Sequence, residues 1–423
     1  MSQLELIFHT VDELRDEDIL NIMDSLVKIN TTVPPGLNYR EYVDKISNYF
    51  EELHFHLEEV IIPENLIKQI PHPLKGQRIN LIASKSYGQH EWMNFYGHMD
   101  VVPAKEENWR FPPFQATLKS GKIYGRGTAD MKGDMVCLLL VLRIINELNL
   151  KPKYNIRVFN GTDEELGFYP GIRYLAEQGY INGYIFCMDG VITPLIPIGA
   201  SGDLNVIIEI IGKSCHSGYN FLGINAIEEI IPILNELMKL KQLVENRRSK
   251  YIPGDPRDNV GKNLRPMFSL VIIEAGEKEN IIPGYCKLII NRRIIPDEDI
   301  ETVKNEIYES IEMGKKKSKA LDVKVTYSYN NPPFKTNPNQ PIIQRWKKTI
   351  ALLNNMDEDK IQTIGSGGST DMGFVSKILN REDIIISGIE SPSSKAHGVN
   401  EFTRIRDMKT FIKELLVFLC HDF

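Results

Sequence analysis

The stretch Ala129–Asn160, ADMKGDMVCLLLVLRIINELNLKPKYNIRVFN, decides the fold. Ala129 to Leu150 reads as a long helix around the apolar run Met135 to Leu142, and Tyr154 to Asn160 alternates as a strand. Upstream, Trp92 to Gly97 reads as a buried strand that ends in GHMD. Downstream, Tyr184 to Met188 is a short buried strand. Strands and helices in alternation predict an α/β fold, a sheet sandwiched by helices.

Near residue 200 the pattern changes. Leu204 to Ile211, Pro266 to Glu274 and Tyr285 to Ile295 read as strands, and Asn225 to Lys241 as a helix. Asp297 to Met313 reads as a second helix, with an acidic first turn that suits its dipole. The order βαββα describes a small α+β unit with room for one further strand. Its polar stretch Glu245 to Arg265 reads as a long surface loop. Beyond residue 318 the α/β pattern returns. The expected organisation is a larger domain from residues 1–199 and 316–423, with a smaller domain, 200–315, inserted in it.

Composition excludes several classes. A chain of 423 residues exceeds one ordinary core and suits two. With 42% hydrophobic and 25% charged residues, it is folded and globular rather than disordered. A net charge of −6 and a pI near 5.9 argue against nucleic acid as a partner, since phosphate binding needs a concentrated basic surface. No run reaches the ~18 apolar residues of a membrane span. The N-terminus carries acids where a secretory leader carries bases, so a cytoplasmic protein is expected. Cys137, Cys187, Cys215, Cys286 and Cys420 form no close pairs. Neither a disulfide framework nor a thiolate cage is expected, and any metal must be held by oxygen and nitrogen.

The chemistry gathers at strand ends and turns, where α/β sheets place their sites. His98 and Asp100 flank Met99 just past a strand. Residues two apart point to the same side of an extended chain, so the Asp100 carboxylate is expected to accept the proton of the second imidazole nitrogen of His98. Asp130 opens the long helix after a glycine-punctuated loop; read alone, it is equally a helix cap. Glu164 and Glu165 stand together at a strand end in NGTDEE, one able to bind metal while the other takes a proton from water. Asp189 ends a strand in CMDG, where a turn aspartate is common, and His397 lies in AHGVNE near Asn400 and Glu401. Each has a plain structural explanation by itself. Together, two histidines and three acids at successive strand ends suit zinc or cobalt, with a carboxylate bridging two ions ~3.5–4 Å apart.

In this order the motifs resemble peptidase family M20, which includes acetylornithine deacetylases, succinyl-diaminopimelate desuccinylases, aminoacylases and glutamate-releasing carboxypeptidases. The blocks are GHMDVVP, GRGTADMKG, TDEELG, MDG, CHSG with GINAIEE, ENIIPG, GGSTD and AHGVNE. The resemblance implies a di-zinc peptidase-like catalytic domain with an inserted α+β lid and dimerisation domain. It implies one zinc on His98 and Asp189, a second on Glu165 and His397, and Asp130 bridging both; cobalt or manganese could replace zinc. Glu164 would be the general base, Asp100 would support His98, and the Asp130–Met131 peptide bond would be cis. His216, in CHSG, would reach the active site of the other subunit in a homodimer and stabilise the oxyanion.

Asn280, Arg293, Ser369 and Thr370 would bind the substrate, Arg293 by a two-pronged grip on a carboxylate. Asn291 stands where the family often has aspartate, and Arg292 offers a competing register. The implied activity is hydrolysis of an amide bond in a small N-acyl amino acid. The alternatives are a dipeptidase, aminopeptidase or carboxypeptidase and, third, a non-catalytic binding relative. The first 85 residues carry none of these motifs.

Overall fold

The computed structural model describes residues 2–254 and 263–423. Its main strands, in chain order, are β1 (His56–Ile61), β2 (Ile79–Lys85), β3 (Trp92–His98), β4 (Asn155–Gly161), β5 (Tyr184–Cys187), β6 (Gly202–Ile211), β7 (Met267–Ala275), β8 (Tyr285–Ile294), β9 (Asp322–Asn331) and β10 (Ile384–Ile386). The helices that matter here are α1 (Tyr39–Glu52), α2 (Lys132–Glu147), α3 (Ile231–Glu245), α4 (Ile300–Lys315) and α5 (Ile405–Cys420). One compact unit comprises Met1–Ile198, Thr336–Ile364 and Val375–Phe423; the other comprises Gly199–Lys335 and Gly365–Phe374.

The first unit is a mixed α/β structure around a six-stranded sheet of order β1-β2-β4-β3-β5-β10. Strand β2 runs antiparallel to both β1 and β4, whereas β4, β3, β5 and β10 are mutually parallel. Strand β3 is buried from Met93 to His98, as expected of a central strand covered on both faces. Helix α2 is buried along almost its whole length and packs on α5, which explains why its sequence is apolar all round. Helix α1 has the commoner pattern, burying Tyr39, Tyr42, Val43, Ile46 and Phe50 at helical spacing. Parallel pairing sets His98 beside Gly161 and Tyr96 beside Cys187. The segments leaving β3, β4 and β5 therefore emerge side by side at one edge.

The second unit is an antiparallel sheet of order β7-β8-β6-β9, packed with α3 and α4. Alternate residues of β6 and β8, among them Val206, Ile208, Leu288 and Ile290, form its core with Leu237 and Ile307. Its extent differs from the sequence expectation. Strand β9 pairs with β6 from Asp322 to Asn331, which carries the unit on to Lys335 instead of ending it at 315. Gly365–Phe374 also belongs to it, so Ser369 and Thr370 lie in the second unit and not in the returning first domain. The helix expected over Asn225–Lys241 is two, Ala226–Glu229 and α3, divided at Ile230 where Pro232 opens a new first turn. The expected Glu245–Arg265 loop falls in part on residues 255–262, outside the described residues. Among the described residues no helix is long and apolar enough to cross a membrane.

Candidate metal centre

The two histidines and three acids expected as metal ligands converge at the edge where β3, β4 and β5 end. His98 closes β3, and its Nε2 lies 3.2 Å from Asp130 Oδ1. His397, in a loop with a φ of 61°, brings Nε2 to 2.9 Å from both Asp130 Oδ2 and Glu165 Oε2. Two donor groups result, His98 with Asp130 and Asp189, and Asp130 with Glu165 and His397. The donor atoms of each lie within 4.8 Å of one another, and Asp130 belongs to both. Asp130 precedes α2, which has no side-chain cap, so the helix-cap alternative falls away. The Asp130–Met131 bond is cis.

Two observations test whether cations fit. His98 Nδ1 lies 3.0 Å from the Asp100 carbonyl oxygen, which can only accept. The ring proton of a neutral His98 therefore sits on Nδ1, and Nε2 presents a lone pair to the Asp130 carboxylate. Two such lone pairs repel unless a proton or a metal lies between them. Independently, Glu165 Oε1 is buried with no hydrogen-bond partner among the described residues. The acids alone resist ionisation: burial, then the charge of Asp130, pushes Glu165 up to about 7 and Asp189 up to about 6. The hydrogen bonds to Asp130 and then Glu165 push His397 up to about 11. A divalent cation would relieve the two carboxylates and take the place of the His397 proton between Asp130 and Glu165, and imidazole with carboxylate suits zinc or cobalt.

The Asp100 carboxylate is not on His98 as strand alternation predicts. Its Oδ1 lies 3.7 Å from Nδ1, while Oδ1 and Oδ2 accept the backbone N–H groups of Glu164 (3.3 Å) and Glu165 (3.0 Å). Strand β3 ends at His98, so residues 98 and 100 no longer share extended geometry. Asp100 supports His98 through its carbonyl and the Glu164–Glu165 turn through its side chain.

Sequence reasoning gave no role to Glu401, yet it holds the loop that carries Asp130. Its Oε1 accepts the N–H groups of Gly127 (3.0 Å), Ala129 (2.9 Å) and Asp130 (3.2 Å), and Oε2 meets Arg126 at 2.5 Å. Gly127, at a φ of 85°, allows that convergence. Arg126 and Glu401 are 275 residues apart, a pairing no spacing reveals; the one sign was an acid closing AHGVNE. Glu390 was also missed. Its backbone bonds Gly190 and Ile192 beside Asp189, and burial, then Asp130 and Asp189, pushes its carboxyl up to about 8.

The remaining predicted residues belong to the second unit. His216 Nδ1 accepts the Gly218 N–H at 3.0 Å, which leaves the proton of a neutral ring on Nε2. A short ladder pairs His216 with Ile281, and the Ser217 N–H donates to the Asn280 carbonyl at 3.0 Å, so Asn280 stands near His216. Asn280 Oδ1 is buried without a hydrogen-bond partner among the described residues. On β8, Arg292 is buried and pairs with Glu298 at 2.7 Å, whereas Arg293 is half-buried on the face of Asn291. Arg293 Nη2 lies 3.2 Å from Asp203 Oδ2, and Asn291 Nδ2 donates to Asp203 Oδ1 and Asn205 Oδ1, both at 2.8 Å. Arg292 is thus engaged in the fold, and of the two registers only Arg293 is within reach of solvent. Thr370 is buried, its hydroxyl accepting the Met372 N–H at 3.3 Å, and Ser369 beside it is half-buried.

An edge of parallel strands that gathers two overlapping imidazole and carboxylate groups, next to a second glutamate, defines a metal-dependent hydrolase. The profile of peptidase family M20/M25/M40 matches residues 94–420, and this chain belongs to that family. It is 27% identical to an uncharacterized metallohydrolase of Methanocaldococcus jannaschii, over 93% of this chain and 96% of the relative. It is 26% identical to a probable succinyl-diaminopimelate desuccinylase of Staphylococcus epidermidis, over 93% of this chain and 95% of the relative. Among solved structures, the di-peptidase Dug1p of Saccharomyces cerevisiae has the same fold, with a TM-score of 0.74 over 98% of each chain at 17% identity.

Proposed function

We propose that this chain hydrolyses the amide bond of small N-acyl amino acids, in the manner of a deacetylase or desuccinylase, with two zinc ions. His98 and Asp189 hold one ion, Glu165 and His397 the other, and Asp130 both. The membership of Asp130 in two donor groups is the observation that carries the reading. When bound, the ions polarise the scissile carbonyl and lower the pKa of water from 15.7 towards ~7.

The protein's own groups do the rest. Glu164, whose backbone is tied to Asp100 and whose neighbour Glu165 serves as ligand, takes a proton from the attacking water. It then hands that proton to the departing amine. His216 donates from Nε2 to the oxyanion of the tetrahedral intermediate in the other subunit of a homodimer, and the Gly218 contact keeps the needed tautomer. Arg293, oriented by Asp203, receives the substrate carboxylate, with Asn280, Ser369 and Thr370 adding polar contacts. A homodimer is supported by β7, the edge strand of the second unit, which exposes Met267, Leu270, Val271, Ile272 and Ile273.

Full-length similarity to a desuccinylase supports an acylated substrate. Dipeptide hydrolysis is the second reading, supported by the fold shared with a dipeptidase. A panel of N-acetyl and N-succinyl amino acids and dipeptides, assayed with added Zn²⁺ and Co²⁺, tests both. An acylated amino acid should give the highest kcat/KM. A dipeptide in that place replaces the first reading by the second, and no hydrolysis at full metal content overturns both.

A further inference from the structure

The loop that carries Glu164 and Glu165 turns at Asp163, a buried aspartate in left-handed conformation with a φ of 61°. A non-glycine residue keeps such a backbone only where its surroundings hold it. Here the holder is the N-terminal segment. Tyr39 donates its hydroxyl to Asp163 Oδ1 at 3.0 Å, and Arg78 Nε donates to Oδ2 at 3.2 Å. Arg78 is itself buried and immobilised: Nη1 donates to the carbonyls of Lys75 and Gly76, Nη2 to that of Pro35 at 2.8 Å. Its guanidinium also lies 5.3 Å from the centre of the Tyr39 ring. A Cβ on Gly36 would stand 2.5 Å from Nη2, so even the glycine there makes room for this arginine.

The two ends of the turn are thereby fixed from different sides, Asp163 by Arg78 and Tyr39, Glu164 and Glu165 by the Asp100 carboxylate. Tyr39 and Arg78 lie outside residues 94–420, the stretch that the family profile covers.

The geometry points to Asp163, clamped by Arg78 and Tyr39, as the positioning residue that aims the Glu164–Glu165 pair, one at the attacking water and the other at the metal. This rests on the reading of Glu164 as general base. The first segment of the chain, which carries no catalytic motif, thus acts on catalysis through one buried ion pair.

The test compares wild type with Asp163→Asn, Tyr39→Phe, Glu164→Gln and the double variant Asp163→Asn/Glu164→Gln, reading kcat, KM and the visible spectrum and affinity of bound Co²⁺. Asparagine tolerates the left-handed backbone but removes the charge and replaces one of the two accepting oxygens by an amide donor, which breaks the clamp on one side; phenylalanine keeps the ring beside Arg78 and removes only the hydroxyl. Asp163→Asn should lower kcat by roughly 30-fold or more with KM changed less than about threefold, as for a group that acts only in the transition state. It should also shift the cobalt bands, because Glu165 moves with the turn. Tyr39→Phe, a variant gentle enough to fold if Asp163→Asn does not, should lower kcat by about three- to tenfold. On the Glu164→Gln background, Asp163→Asn should reduce kcat by a clearly smaller factor than in wild type, since the share that acts through Glu164 is already lost and only that through Glu165 remains.

Wild-type kcat and cobalt spectra in the two single variants overturn the proposal, as does a full additional loss on the Glu164→Gln background. Wild-type turnover in Glu164→Gln itself removes the base reading instead, and the cobalt spectra then still decide whether Asp163 positions Glu165.

Discussion

The strand ends of the first unit and the polar row on β6 and β8 of the second both carry predicted site residues, yet they treat charge in opposite ways. At the strand ends, Asp130, Glu165 and Asp189 face one another and two imidazoles, and Glu165 Oε1 has no hydrogen-bond partner among the described residues. On the row, Arg293 already faces Asp203, which Asn291 also holds. The first arrangement is incomplete without a cation, because Glu165 Oε1 has no donor among the described residues and the Nε2 lone pair of His98 faces a carboxylate oxygen. In the second the charge is already paired, so any anion received by Arg293, as proposed for the substrate carboxylate, would share it with Asp203. Interestingly, the acid missing at Asn291 is supplied from the facing strand by Asp203, directly opposite Arg293.

The sharpest way to break this contrast is at the strand ends. Glu164→Gln should lower turnover by about 10²–10⁴ while metal content measured by atomic emission stays at the wild-type level. Turnover near wild type would put the base elsewhere. On the row, Arg293→Ala should raise KM by roughly 10–100-fold, the scale of a lost charge-assisted hydrogen bond worth ~1.5–3 kcal/mol. Arg292→Ala should leave KM alone and instead lower stability by ~1.5–3 kcal/mol in denaturant titrations, the scale of a lost buried charge-assisted hydrogen bond, since Glu298 keeps Arg247 at 2.8 Å. If KM responded to Arg292 and not to Arg293, the two registers would be exchanged. The smallest effect belongs to Asp203→Asn. Asp203 is buried and Arg293 partly exposed, but asparagine keeps an acceptor towards Arg293, so the loss should be about 1 kcal/mol and KM should change by no more than about fivefold. A larger change would mean that Asp203 itself meets substrate.

Much of this is legible in the sequence. The strands ending in GHMD and CMDG and the helix after GRGTAD needed only periodicity and apolar runs, and they delivered His98, Asp189 and Asp130 to one edge. What was not legible depends on contacts between distant segments or on where an element stops. Asp100 was assigned to His98 by extended-chain alternation, but β3 ends one residue after Gly97 and the carboxylate turns to the Glu164–Glu165 backbone. Glu401 and Arg78 were invisible because their partners lie far off in the chain. Strand β9 lengthened the second unit because a fourth strand can join a sheet edge without any signal in the residues that flank it.

Asp130 is proposed to serve two ions with one carboxylate, and metal titration of single variants tests that directly. Wild-type protein stripped by chelator and titrated with Zn²⁺ or Co²⁺ should bind two ions per chain. Glu165→Ala and Asp189→Ala should each weaken one of them, and Asp130→Ala should weaken both. One ion in the wild type, or an Asp130→Ala variant that keeps a full-affinity site, would contradict that bridging role.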